Sequence, residues 1–228
     1  GPPDKIGVTS YLGALGYTVL LIDTQHTMAF SLLDDGTWGG IVAQIESDAF
    51  CAIVVWPPAS TFRDEAPQVR TLHEPYGVRA ATAKANNIPK SAVDKVIMAN
   101  HQLHKIADAV SRMQRRGHPY IWVMPDAVGE EVSMESLVAV QTIREGGAKI
   151  TRTLGCTYGT PGRNPTAILH GNCVFAKASQ ECPHTPGHYT EPGHRARWRQ
   201  ELRASSEFSR AIASTLAVAV SSRAAAST

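Results

Sequence analysis

The sequence predicts an α/β domain built on a mostly parallel sheet, and three observations carry that expectation. Short aliphatic runs bounded by Gly, Pro or an acid recur at residues 19–23 (VLLID), 51–56 (CAIVVW) and 120–124 (YIWVM). Runs of that length without polar alternation suit strands buried on both faces. Segments with helical periodicity separate them, the pattern of βα units joined by crossovers. Finally, the 228 residues are 43% hydrophobic and 18% charged, enough for one core that buries about 70% of the unfolded surface without disulfides or a structural metal.

Each element has its own local justification. Residues 35–46 place Trp38, Ile41, Val42 and Ile45 on one face, behind acids suited to a helix N-terminus. The strand at 51–56 stops at Pro57 and Pro58, whose missing N–H ends a central strand. Residues 61–90 then form a connection of about 30 residues, the length of a functional loop. Ser91 caps a long helix with the stripe Val93, Val96, Ile97, Asn100, Leu103, Ala107, Val110 and Met113, closing at Gly117. Ser133 caps a further helix over 134–145, stopped by Gly146 and Gly147. Residues 149–154 and 167–175 read as strands, the latter turning at His170, Gly171 and Asn172, and they give the sheet an antiparallel C-terminal edge. One or two helices broken near Ser205 and Ser206 close the chain over 195–220, so helices are expected on both faces of the sheet.

With 22 Lys/Arg against 20 Asp/Glu the net charge is +2, which excludes a strongly basic nucleic-acid clamp and an acidic tail. The sum hides a split: residues 1–150 carry 13 − 16 = −3 and residues 151–228 carry 9 − 4 = +5. No apolar run approaches the roughly 20 residues of a membrane span, so no membrane partner is expected. Four cysteines, Cys51, Cys156, Cys173 and Cys182, do not make a disulfide framework, which suits an intracellular protein, cytoplasmic or nuclear.

The opening residues Gly1, Pro2, Pro3 and Asp4, the strand ending in Asp23, residues 54–62 (VVWPPASTF) and the later strand before Pro125 resemble the DNA cytosine-5 methyltransferases. Residues 73–77 (HEPYG), 156–159 (CTYG), 164–166 (NPT) and 182–184 (CPH) resemble, more narrowly, a divergent retroelement-associated branch of that family. The resemblance covers nearly the whole chain. It implies a Rossmann-like sheet that binds S-adenosylmethionine, with Asp4, Asp23 and Pro57 toward the cofactor. It also implies a cysteine thiolate attacking C6 of a flipped cytosine, a glutamate at the N3 edge of the base, and methyl transfer to C5. Against that pattern Ala59 stands at the nucleophile position and Val123 at the glutamate position. Ser31 replaces the acid expected near the adenine, with Asp34 and Asp35 close by, and the glycine loop is reduced to residues 1–4.

Loss of both nucleophile and carboxylate implies a catalytically degenerate domain that binds nucleic acid or protein instead. Residues 1–176 form the methyltransferase-like core, and residues 177–228 a Cys/His loop and basic helices packed on the same domain. Two enzyme alternatives stand beside this: an active methyltransferase that needs no cysteine and draws on Asp4, Asp23 and Asp126, and an engineered Cys→Ala form of a cytosine-5 enzyme. A third alternative is a structural or assembly protein.

The remaining candidates lie mostly in the C-terminal quarter. Cys182, His184, His188 and His194 offer four zinc ligands within 13 residues, with Cys173 and His170 as substitutes; the plainer explanation is a histidine-rich surface loop. Arg195, Arg199 and Arg203 share a helix face at i, i+4 spacing near Trp198 and, with Arg163, form the candidate nucleic-acid contact; Glu201 and Glu207 would partly neutralise them as a solvated face. Asp23 either accepts ribose hydroxyls or caps the following turn. Phe62 reads as a packing residue, and His101 and His104 as structural or exposed.

Overall fold

The computed structural model describes residues 7–20, 22, 32–62, 69–126, 132–160, 165–175 and 205–226. Strands β1 (Ile53–Val55), β2 (Tyr120–Pro125), β3 (Lys149–Leu154) and β4 (Pro165–Gly171) form one sheet in the order β1-β2-β4-β3. Only β1 and β2 pair in parallel; β4 is antiparallel to both of its neighbours. The architecture is therefore α/β with an open mixed sheet, mostly antiparallel, which corrects the mostly parallel expectation. The reason is topological. β3 runs in the same direction as β2, as a βα unit demands, but β4 returns from the end of β3 and inserts between them. One parallel neighbour pair is thereby replaced by two antiparallel ones, and the antiparallel pairing lies at the C-terminal side of the sheet. β4 also continues straight through His170 and Gly171 into the register with β2, so no hairpin turn forms there.

The aliphatic run at 19–23 does not extend the sheet in its described part. Residues 17–20 are outside any strand, with Val19 and Leu20 36% and 50% exposed. Helix α1 (Val8–Ala14) ends near Gly16, whose φ of +87° redirects the chain. The Tyr17 hydroxyl then reaches the Ala217 carbonyl of the C-terminal helix α6 (Ser206–Ala226), 3.5 Å away, which ties the start of this segment to that helix.

Helix α2 (Asp35–Glu46) starts where the acids indicate, with Asp34 accepting a hydrogen bond from the Thr37 N–H at 2.6 Å. Helix α3 (Ala80–Ala85) lies within the long connection, and helix α4 (Lys90–Arg115) follows it. The buried stripe of α4 runs through Val96, Ala99, Leu103, Ile106, Val110 and Met113, while Ile97 is 49% exposed. The segment after Ser133 divides into a 3-10 turn, Met134–Ser136, and helix α5 (Val138–Glu145). Leu137 separates them because its extended backbone (φ −69°, ψ 130°) interrupts the helical hydrogen bonds.

Every residue from Tyr120 to Met124 is completely buried, so both faces of β2 are covered. Cross-strand pairing sets Val54, Ile121 and Ile168 with Val123 on one face, and Val55, Trp122 and Leu169 on the other. Gly171 opposite Tyr120 is required by close approach, since a Cβ there would collide with the Tyr120 ring. Phe208 of α6 meets Trp56 and Tyr158 edge-on, with ring centroids 6.5 and 4.9 Å apart, which anchors the C-terminal helix in the same core.

A charged corner ties three helix ends together. Asp48, just past α2 at φ +57°, accepts two bonds from the Arg116 guanidinium at 2.9 and 2.6 Å and lies 2.6 Å from Nε2 of buried His118. Arg112 reaches Glu46 at 2.6 Å, and Arg223 of α6 donates to the Arg116 carbonyl at 3.2 Å. The Arg116 guanidinium, and after it His118, hold the Asp48 carboxyl well below the usual carboxylate range. A depressed folded pKa contributes stability that is fully present above the unfolded value of about 3.9 and is lost as pH falls toward the folded one. Asp48→Asn, which tolerates the left-handed backbone, is therefore expected to lower the thermal midpoint at pH 7. The two melting curves should converge as pH drops below about 4; a constant gap across that range would refute the assignment.

Candidate functional site

In an open α/β sheet the ligand crevice lies at the carboxyl ends of parallel strands, which here means the segments following β1 and β2. After β1 the chain runs through Trp56, buried Pro57 and half-buried Pro58 to Ala59, which is 3% exposed. A 3-10 turn, Ser60–Phe62, follows, closed by the Phe62 N–H donating to the Ala59 carbonyl at 3.0 Å.

That turn is fastened by Arg70, which is 6% exposed. Its Nε donates to Thr61 Oγ1 at 3.1 Å, Nη1 to the Pro75 carbonyl at 2.5 Å and Nη2 to Asn100 Oδ1 at 2.9 Å. The guanidinium carbon also lies 4.0 Å from the centre of the Phe62 ring. Asn100 returns its own N–H to the Tyr76 carbonyl at 2.6 Å, and the Tyr76 ring stacks parallel on His104 at 5.6 Å. Gly77 permits this arrangement: its φ is +110°, and a Cβ would lie 2.7 Å from Val96 Cγ1 on α4. Burial lowers the Arg70 pKa to about 10, so the group remains a cation at neutral pH inside a shell of neutral acceptors.

At the neighbouring strand end, Val123 is completely buried and pairs with Ile168 rather than facing the crevice. Asp126, one residue beyond β2, is engaged by Arg152 Nε at 3.3 Å, and Arg152 Nη2 also holds Glu135 at 2.6 Å. The Asp126 N–H donates to the Pro165 carbonyl at 3.0 Å, which locks this strand end to the start of β4. Ala59 and Val123 thus both carry buried hydrocarbon side chains, and Asp126 is ion-paired with Arg152.

Of the predicted site residues the structure describes Pro57, Ala59, Val123 and Asp126, together with the substitute ligands His170 and Cys173. Asp4, Asp23, Ser31, Arg163, Arg195, Arg199, Arg203, Cys182, His184, His188 and His194 all lie outside the described residues. Among the described residues no three His, Cys, Asp or Glu side chains gather into a metal-binding group. The proposed substitute ligands are occupied. His170 Nδ1 donates to the Cys173 carbonyl at 3.2 Å, and its Nε2 faces Thr151 Oγ1 at 2.9 Å. Burial lowers the His170 pKa and pushes the Cys173 thiol up to about 11, so the imidazole is neutral and the thiol stays protonated. No family model, curated protein or solved structure matches the chain.

The motifs singled out in the sequence do have places in the fold, and their described parts are joints. Residues 73–77 make the turn that presents Tyr76 to α4. Residues 155–158 form a 3-10 turn ending at Gly159 (φ +74°), with Thr157 Oγ1 donating to the Leu154 carbonyl at 2.6 Å and the Tyr158 ring against Phe208. Sequence reasoning missed Arg70. The one available signal was Asn100, a polar residue within the apolar stripe of α4, which marks a buried partner in need of a hydrogen bond. No helix among the described residues is long and apolar enough to cross a membrane.

Proposed function

We propose that this chain is a methyltransferase-like domain that does not methylate cytosine and works instead as a binding module for nucleic acid or protein. The observation that carries the reading is the pair of hydrocarbon side chains, Ala59 at 3% exposure in the segment after β1 and Val123 at 0% within β2, at the positions to which the resemblance assigns a thiolate and a carboxylate. An Ala59 methyl group forms no adduct with C6 of a pyrimidine, and Val123 gives no hydrogen bond to its N3 edge. The architecture agrees with this reading only at the level of α/β class and the parallel β1–β2 pair; the order β1-β2-β4-β3, mostly antiparallel, is not that of a Rossmann sheet. The +5 charge of residues 151–228 supports a polyanionic partner.

Incubation with labelled S-adenosylmethionine and cytosine-containing DNA or RNA tests the proposal. No cofactor-dependent label should enter the nucleic acid, and robust transfer would overturn it. Ala59→Cys alone is expected to leave the protein inactive, because the thiol would still lack the carboxylate that engages the base. Turnover by A59C would identify the natural chain as an enzyme missing one atom rather than a degenerate scaffold.

A further inference from the structure

We propose that Arg70 forms an anion site that receives a backbone phosphate of single-stranded nucleic acid, with the neighbouring Tyr76–His104 stack as the platform for a base. The inference rests on the nucleic-acid half of the function proposed above and names the surface that performs it.

Three features converge. Arg70 is a nearly fully buried cation whose partners among the described residues are all neutral: one hydroxyl, one backbone carbonyl, one side-chain amide and one aromatic face. A buried charge without an opposite charge is costly, and proteins keep one where a ligand supplies the counter-charge or a pair within the chain does. Of the five N–H bonds of the guanidinium, three are used, which leaves one on each terminal nitrogen among the described residues. Each of these two N–H bonds can donate to a phosphate oxygen in a charge-assisted hydrogen bond. The second feature is position. Arg70 fastens Thr61 and Phe62, directly after Ala59, at the carboxyl end of β1 where this class of sheet receives ligands. The third is the aromatic pair. Arg70 holds the Pro75 carbonyl, the next residue is Tyr76, and the ring of exposed His104 lies on Tyr76 with an interplanar angle of 2°. A cation beside a flat, partly exposed ring stack is the combination by which proteins hold single strands, through phosphate contact and base stacking together.

The competing partner is internal. Asp64 and Glu65 lie close in sequence, outside the described residues, and either one could neutralise the guanidinium. The experiment separates these cases. A fluorescent oligothymidylate is titrated by anisotropy at several salt concentrations against wild type, Arg70→Gln, Arg70→Lys, His104→Ala and the D64N/E65Q double variant, with a thermal melt of each. One phosphate contact contributes about 0.7 to the slope of log K against log salt for single strands. R70Q is therefore expected to bind about ten-fold more weakly with the slope reduced by about that amount. H104A should lose several-fold in affinity with the slope unchanged, and D64N/E65Q should bind as tightly as wild type or tighter.

A folded R70Q with unchanged slope and affinity overturns the site while leaving the nucleic-acid reading intact; wild type that binds no oligonucleotide overturns both. A D64N/E65Q variant destabilised as much as R70Q, with no phosphate effect in either, assigns the counter-charge to the chain itself and also overturns the proposal. Should R70Q not fold, R70K carries the test: it keeps the charge but loses the planar guanidinium donors, so weaker binding with the slope retained supports the site and unchanged binding refutes it. Phosphorus NMR with inorganic phosphate identifies the source of the ligand. Line broadening abolished in R70Q, without oligonucleotide binding, would mark a site for free phosphate and refute the strand proposal.

Discussion

Val123→Glu, the change that places a carboxylate where the proposed methyltransferase-like reading would put one, is expected to destabilise the protein by about 3–5 kcal/mol. Val123 is completely buried at the centre of β2, beside Ile121 on its own strand face and opposite Ile168 on β4. None of those neighbours can pair with a charge. A glutamate there either carries an uncompensated charge into the core or takes up a proton, and burial drives its pKa several units above the usual 4.3. The sign of the pH dependence follows. A carboxyl whose folded pKa is raised costs nothing below its unfolded pKa, and its penalty grows as pH climbs toward the folded value. Urea unfolding at pH 5 and pH 8 should therefore show V123E weaker than wild type at both, with the wider gap at pH 8. A variant within about 0.5 kcal/mol of wild type would mean that this position faces the crevice after all, and the case for a degenerate site would fall with it. The double variant A59C/V123E is expected to inherit the same loss, so activity cannot be restored by the two residues alone.

The places where sequence and structure agree share a physical cause, as do the places where they part. The runs that became β1 and β2 were legible because a strand covered on both faces needs uninterrupted apolar residues, and prolines mark where its ladder must stop. Helix α4 was legible because 26 residues repeat its period many times. Direction and neighbour order were not legible, because nothing within residues 165–171 says whether that strand docks outside β3 or inserts beside β2; its burial on both faces is a property of the assembled sheet. The run at 19–23 has the composition of a strand, yet its described residues 19, 20 and 22 lie outside any strand, because composition alone does not supply a pairing partner. Leu137 interrupted a helical pattern without a Gly or Pro to announce it.

The same distinction governs the candidate site. Ala59 and Val123 were singled out through the proposed resemblance, by their neighbouring prolines and strands, and the structure buries both in the hydrophobic core. Arg70 could not be found that way. It sits in a polar connection where arginine ordinarily faces water, and its partners are 9 and 30 residues away in Thr61 and Asn100. Only the folded loop makes it a buried cation. Residues that resembled a catalytic family by motif, such as 73–77 and 156–159, occupy turns that position Tyr76 and Tyr158 in the packing.

Phe208→Ala should produce a loss of similar size, about 3–5 kcal/mol, by a different route. Phe208 is 0% exposed, and it touches two of the site's supports at once: Trp56, which leads from β1 into the segment bearing Ala59, and Tyr158 in the 3-10 turn after β3. The helix start is set by the same contacts, since Ser205 Oγ accepts the Phe208 N–H at 3.2 Å and itself donates to the Tyr158 carbonyl. Removing the ring leaves a cavity between sheet and helix that neither partner can close without moving its own backbone. At about 2–4 °C per kcal/mol for a chain of this length, the thermal midpoint should fall by roughly 10 °C. Val218→Ala, on the same helix but 67% exposed, should change it little and serves as the control. If α6 were only an appended helix, F208A would release it while leaving the sheet's cooperative unfolding and any oligonucleotide binding at Arg70 untouched. Because Phe208 and Trp56 are in contact, we expect instead that F208A and W56A couple in a double-mutant cycle by about 0.5–3 kcal/mol. Oligonucleotide affinity should then weaken in F208A even where the protein remains folded, through loosening of the segment that leads to Thr61 and Phe62.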